Sequence, residues 1–181
     1  RVRKTIKAKK TGSQVDVGGG IIGGIENDVI RFHQQDVRIE YSEYPQIGSA
    51  TNLEIPFEIN LNSDWILSSQ EVSVSKLGES DVHLLSDHYT VYLEVPEGSK
   101  IKLRSRESGD QIRPLGMQGQ SKKISDVMID RKIPRKAREK WPLLIIDDEI
   151  AWIPGIKVAH THRIKNRQNR IVKFRCKRHG S

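Results

Sequence analysis

The stretch Pro142-Leu143-Leu144-Ile145-Ile146-Asp147-Asp148-Glu149-Ile150-Ala151-Trp152-Ile153 decides the fold. Two short apolar runs, Leu143 to Ile146 and Ile150 to Ile153, flank three consecutive acids. Short apolar runs bounded by turn-forming residues read as paired strands, so this is a β-hairpin. Pro142 forbids a helix continuing past Trp141, because proline lacks the amide hydrogen and clashes with the preceding turn. Downstream, Pro154-Gly155 turns the chain into Ile156 and Val158, and Ile171 to Phe174 is the expected last strand.

Upstream of the hairpin lie two expected helices. Ser121 can cap the first, whose apolar stripe is Ile124, Val127 and Met128. Pro134 suits the first position of the second. Before them come alternating segments with one buried face: Ile55, Phe57, Ile59 and Leu61, then Val72 and Val74, then Val91, Leu93 and Val95. Lys100 to Arg106 continues this pattern, with Ile101 and Leu103 inward and cations outward. Val15 and Val17, with Val29, Ile30 and Phe32, are predicted to form a glycine-rich hairpin turned by Asn27-Asp28. The polar stretch from Gln34 to Thr51 reads as a loop or linker. The expected fold class is therefore α+β: a mostly β domain with two short inserted helices. Residues 1–50 are expected to end a preceding subdomain, and residues 51–181 to form the C-terminal domain.

Charge points to a partner. The net charge is +8, and it is segregated along the chain. Residues 36–99 hold 12 acids against Arg38 and Lys76, whereas residues 151–181 hold nine Lys or Arg and no acid. Eight more Lys or Arg lie in residues 121–140, and six in the first ten residues. Segregation of this kind suggests a basic face, which attracts phosphates by releasing their counterions. Aromatic residues make up 6%, too few for evident stacking platforms, so structured RNA fits better than single strands. No apolar run approaches the ~20 residues of a membrane-spanning helix, and no membrane partner is expected. Arg1-Val2-Arg3-Lys4 is not followed by the apolar core of a signal peptide. With the single cysteine, Cys176, this suggests a reducing cytoplasm. The chain starts with Arg rather than Met, and a piece of something longer is expected.

Most catalytic patterns fail on inspection. Gly18, Gly20 and Gly23 satisfy G-x-G-x-x-G, but turn residues rather than a helix follow, so a tightly turned hairpin is preferred to a nucleotide site. His160 and His162 would share a face on a strand, yet no carboxylate or cysteine nearby completes a metal set. His83 and His88 read as surface residues. Cys176 sits among Lys and Arg, which could lower its pKa, but it lacks a recognisable partner histidine. Asp110 is expected to bond loop amides, and Asp126 and Asp130 to orient nearby cations. Trp141 and Trp152 are expected in the core.

The cationic constellation is Arg104, Arg106, Arg113, Lys122, Lys123, Arg131, Lys132, Arg135, Lys136 and Arg138. Arg113, shaped by Pro114 and Gly116, is the candidate for a more specific contact, since arginine can bond two acceptors at once.

The strings G-D-Q-I-R-P-L-G-M, S-K-K, I-D-R-K-I-P-R, R-E-K-W-P-L-L and I-A-W-I-P-G-I, in this order, resemble the C-terminal region of the bacterial tRNA(Ile)-lysidine synthetase family, TilS. The later H-R-I-K-N-R-Q-N-R-I-V-K-F is similar to that family's closing strand region. Gly18-Gly19-Gly20 departs from the family's usual L-P-G-G. The resemblance implies a parent ligase that uses ATP, with Mg, to adenylate the wobble cytidine of the CAU-anticodon isoleucine tRNA, and then lets free lysine displace AMP. It implies that catalysis belongs to an N-terminal domain absent from this chain. Residues 51–181 would then be a tRNA-recognition module for the acceptor-stem side, of a fold similar to a domain of phenylalanyl-tRNA synthetase β subunits (PheT). No catalytic residue, cofactor or metal is expected here. The expected partners are that tRNA and the catalytic domain, and a homodimer is left open. Arg113, Lys122, Lys123, Lys132, Arg135 and Arg138 stand in the matching motifs. A free-standing structured-RNA-binding or assembly protein sharing the domain is the alternative.

Overall fold

The strand Pro142–Ile146 is buried at every position in the computed structural model, which describes residues 14–26, 29–34, 42–73, 88–117, 119–165 and 169–180. A strand wetted on one face would alternate, so a continuously apolar one needs a layer on each side. That is the arrangement here. Leu144 and Ile146 enter one core with Leu67, Leu93, Leu103, Trp152 and Phe174. Leu143 and Ile145 enter another with Ile124, Val127, Met128, Ala137 and Trp141.

In chain order the strands begin with β1 (Gln14–Gly18), β2 (Ile21–Glu26), β3 (Val29–Gln34), β4 (Thr51–Leu53) and β5 (Phe57–Asn60). Next come β6 (Trp65–Val72), β7 (Thr90–Val95), β8 (Ile101–Ser105), β9 (Gln111–Ile112) and β10 (Lys122–Lys123). Helices α1 (Ile124–Asp130) and α2 (Arg135–Glu139) follow. The chain closes with β11 (Pro142–Ile146), β12 (Glu149–Ile153), β13 (Lys157–Val158) and β14 (Arg170–Arg178). One sheet runs β13-β12-β11-β8-β4 and a second runs β5-β6-β14-β7. Both are antiparallel throughout. The first core lies between these sheets, and α1 and α2 cover the far side of the five-stranded one. The order of layers is thus four-stranded sheet, five-stranded sheet, helices.

The β11–β12 hairpin is the one expected. Asp147 and Asp148 take positive φ of 48° and 65°, as a two-residue turn between twisted strands requires. The Asp147 carboxylate accepts from Ser99 Oγ at 2.7 Å and from the Lys100 amide at 2.9 Å, tying the turn to the start of β8. The register slips between Leu144 and Ile145. Ala151 and Trp152 both enter the first core as a result, so β12 shows no alternation in sequence.

Several expectations are corrected. The glycine-rich N-terminal hairpin is a three-stranded meander, β1-β2-β3. Its middle strand contains Gly23 and Gly24. A Cβ on Gly23 would stand 3.1 Å from the Phe32 ring, so this glycine makes room for a cross-strand aromatic. Asn27-Asp28 lies outside the described residues. Ser121 does not cap α1: Lys122 and Lys123 pair with β9 first, and Lys123 precedes the helix without a side-chain cap bond. Pro134 stands just before α2 rather than as its first residue. Val72 ends β6, which starts at Trp65, whereas Val74 lies outside the described residues. The last strand is longer than Ile171 to Phe174, because β6 accompanies it to Arg178.

Part of the expected linker is packed. Ile47 is buried and its amide donates to the Lys140 carbonyl at 2.8 Å. Gln46 Nε2 donates to the Ala137 carbonyl at 3.0 Å, and the Tyr44 ring lies 5.6 Å from that of Trp141. Residues 42–50 therefore brace α2. Among the described residues no helix is long and apolar enough to cross a membrane.

Candidate nucleic-acid interface

The loop between β8 and α1 is shaped by one ion pair. Asp110 accepts two hydrogen bonds from the Arg104 guanidinium, at 2.8 and 2.9 Å, and a third from the Glu107 amide at 2.7 Å. The Asp110 carbonyl accepts from the Ile124 amide at 3.0 Å, so the same residue also holds the entry to α1. Gly109 before it adopts φ of 90°, the left-handed region open to glycine at no steric cost. Burial pushes the Asp110 carboxyl upward. The Arg104 bond, the Glu107 amide and the charges of Arg104 and Arg106 outweigh that and hold it below the ordinary carboxylate value.

Asp110 therefore bonds a loop amide as expected, but Arg104 turns inward to it. The Arg104 side chain is 15% exposed. It reads as a clasp rather than an outward cation. A pH dependence follows from the lowered carboxyl. The clasp is fully formed above the ordinary carboxylate range and is lost as pH falls through the lower folded value. Asp110→Asn should lower stability at neutral pH by about 1–3 kcal/mol, because the half-buried guanidinium keeps a weaker partner. It should also flatten the fall in stability toward acid, which urea titrations between about pH 2 and 6 would read. An unchanged acid profile would contradict the clasp.

Beyond Asp110 the loop is stitched to the segment after β13. The Leu115 amide donates to the Val158 carbonyl at 3.0 Å, the His160 amide to the Arg113 carbonyl at 2.8 Å, and Pro114 bridges Ala159. Arg113 is exposed on this pinned backbone. With Arg104, Asp110, Ser121 and Thr161 it lines an open, polar cleft of about 340 Å³.

The other expected cations fall into two groups. Lys123, Lys132, Arg135 and Lys136 are exposed. Lys122, Arg106 and Arg138 are half-buried. Lys122 Nζ pairs with the Asp130 carboxylate, as foreseen for that aspartate, whereas Asp126 accepts from Ser125 instead. Arg138 Nε donates to the Ile133 carbonyl, bracing the link between the helices. Arg106 and Lys123 share a second cleft with Glu107 and Glu139. Arg131, placed in the constellation on sequence, reaches His88 Nε2 at 3.4 Å and the Ile156 carbonyl at 3.5 Å.

His160 and His162 lie in a turn, not on a strand. The His162 carbonyl accepts from the Glu94 amide at 2.9 Å. Burial lowers the His162 pKa despite the carboxylates of Glu149 and Asp147. Among the described residues no three His, Cys, Asp or Glu gather as a metal would need. His88 is half-buried, and its carbonyl accepts from Trp152 Nε1 and the Gly155 amide; His83 lies outside the described residues. Cys176 faces the core on β14, and burial pushes its thiol up to about 12. The neighbouring cations, which point the other way, do not activate it. Trp141 and Trp152 are core residues at 2% and 0% exposure.

One basic row escaped the sequence reading. Lys173, Arg175 and Lys177 share the outward face of β14. Their alternation with Val172, Phe174 and Cys176 was the available signal.

Residues 101–175 match the family model described as TilS substrate C-terminal domain. The tRNA(Ile)-lysidine synthase of Clostridium perfringens (strain 13) is 33% identical over 178 residues, 95% of this chain and 36% of that protein. That of Clostridium acetobutylicum is 34% identical over 127 residues, 67% of this chain and 27% of that protein. A solved crystal structure of a TILS C-terminal domain matches with a TM-score of 0.59 and 21% identity, over 73% of this chain and 98% of that one. At that identity the likeness is one of fold. The chain spans about a third of the length of the curated relatives it matches.

Proposed function

This chain belongs to the TilS family, its residues 101–175 being a TilS substrate C-terminal domain, and from that premise we propose that it is the tRNA-gripping region of a tRNA(Ile)-lysidine synthase. The parent enzyme would join lysine to the wobble cytidine of the CAU-anticodon isoleucine tRNA, consuming ATP with Mg, on an N-terminal domain outside this chain. Residues 51–181 would hold the acceptor-stem side in the cytoplasm, in a fold related to the PheT domain, while residues 1–50 lead in from the preceding subdomain. The contribution is affinity and orientation: a gripped tRNA presents its anticodon to a distant site as an effectively intramolecular reactant.

The observation that carries this reading is the pinning of the cationic segments. Arg113 projects from a backbone bonded to residues 158–160. Lys123 is held in the β9–β10 ladder, and Arg135 and Lys136 sit on a helix braced by Ile47 and Tyr44. Rigid cations suit double-helical RNA, which is recognised by shape, phosphates and 2′-hydroxyls more than by base identity.

The test is binding of the chain to isoleucine tRNA (CAU anticodon) and to methionine tRNA across a salt series. Affinity is expected to fall steeply with salt for both. Tighter binding to the isoleucine tRNA would make the region discriminating, and equal binding a general clamp. No binding to either at low salt would overturn the proposal.

A further inference from the structure

Three cations stand in file on the outward side of β14. Lys173, Arg175 and Lys177 alternate with residues that enter the sandwich core. A strand advances about 3.3 Å per residue, so these side chains leave one face about 6.6 Å apart. That interval is comparable to the step between neighbouring phosphates on a nucleic-acid strand. β14 lies between β6 and β7, so the file runs inside the sheet face rather than along its rim.

The surroundings favour an anion. Lys173 stands opposite Gln70 and Tyr92, and Arg175 opposite Ser68 and Thr90. These neighbours offer hydroxyl and amide groups, as phosphate oxygens require. The Lys173 ammonium lies 5.7 Å from the centre of the Tyr92 ring. Among the described residues none of the three cations takes part in an ion pair. Arg104 and Lys122, by contrast, are both paired. Glu58, one strand beyond Ser68, is an acid on this open part of the face.

The file does not end at Lys173. One step further, Ile171 is fully buried and Glu94 is 8% exposed. The Glu94 carboxylate accepts from the Lys165 amide at 2.8 Å and from Asn169 Nδ2 at 2.9 Å. It therefore anchors a loop bearing Arg163 and Lys165 beside the file. The buried carboxylate thus holds the backbone at Lys165.

This face is on the opposite side of the molecule from the helices, with the five-stranded sheet between. Packed layers are about 10 Å apart, so a single straight stretch of duplex can lie on one side or the other but not on both. We propose that the outward face of the β5-β6-β14-β7 sheet is a second RNA-backbone contact, with Lys173, Arg175 and Lys177 taking successive phosphates independently of the helical-side cations. The proposal rests on the RNA-binding reading above.

The experiment compares two triple variants of the full chain, Lys173→Glu/Arg175→Glu/Lys177→Glu and Lys132→Glu/Arg135→Glu/Lys136→Glu, for binding to bulk bacterial tRNA across a salt series. The sheet-face triple is expected to lose tenfold or more in affinity at low salt, and its log–log salt slope should fall by about 2–3, near 0.9 for each phosphate released. Loss in the helical triple alone would overturn this proposal and leave the RNA-binding reading standing. Loss in the sheet triple alone would uphold it and move the RNA off the helices. Loss in neither would overturn both. Thermal melting checks the fold, and if the Glu set unfolds, the corresponding Gln set reads the same slope with a smaller change.

Discussion

Reversing Lys132, Arg135 and Lys136 to glutamate should weaken tRNA binding by about 10²–10³-fold at low salt while the protein stays folded. All three side chains are exposed. Each reversal removes a counterion-releasing contact and adds a repulsive one, so the effect exceeds that of neutral replacement. The helix itself should tolerate the change. The first turn of α2 holds no acid, and Arg135 stands first in it, at the end of the helix that favours negative charge. Glutamate there should be neutral or favourable by about 0.3–1 kcal/mol. Fluorescence anisotropy with labelled tRNA would measure the affinity and a thermal melt the fold. A folded variant with undiminished affinity would remove the helical side from the interface.

Trp152→Ala should cost about 3–5 kcal/mol, the range for truncating a fully buried aromatic ring. Trp152 is 0% exposed and packs between the two large sheets. Its Nε1 donates to the His88 carbonyl at 3.2 Å, a bond that alanine cannot make. The slip in register before Ile145 places Ala151 and Trp152 side by side in this core, so there is little neighbouring bulk to close the gap. Urea denaturation would give the difference directly. A loss under about 1 kcal/mol would mean that the sandwich is not packed around this ring.

Much of this was legible in the residues. The Asp147-Asp148 turn, the alternation at Val91, Leu93 and Val95, and the stripe at Ile124, Val127 and Met128 each carry a local pattern that tertiary packing did not override. What stayed hidden depended on partners distant in sequence. Arg104 reads as a surface cation until Asp110, six residues away, folds back onto it. Ser121 has the chemistry of a helix cap, but β9 claims the next two residues for a ladder. Gly23 and Gly24 look like turn residues because the space that Gly23 leaves for Phe32 belongs to another strand. The outward cations of β14 are present in the alternation, yet beyond Phe174 only Cys176 marks the inward face of the strand. Tyr44 and Ile47, set among polar residues, gave little sign that they would brace a helix.

β11 belongs to both cores at once, giving Leu144 and Ile146 to the sandwich and Leu143 and Ile145 to the helices. Neither core can come apart without uncovering this strand, so melting of the helical layer would expose Leu143 and Ile145. The amides of β11 should accordingly exchange with deuterium only through global opening, at the free energy of complete unfolding. The cations that flank α1 and line α2 would then persist or vanish together with the sheets, as one cooperative unit.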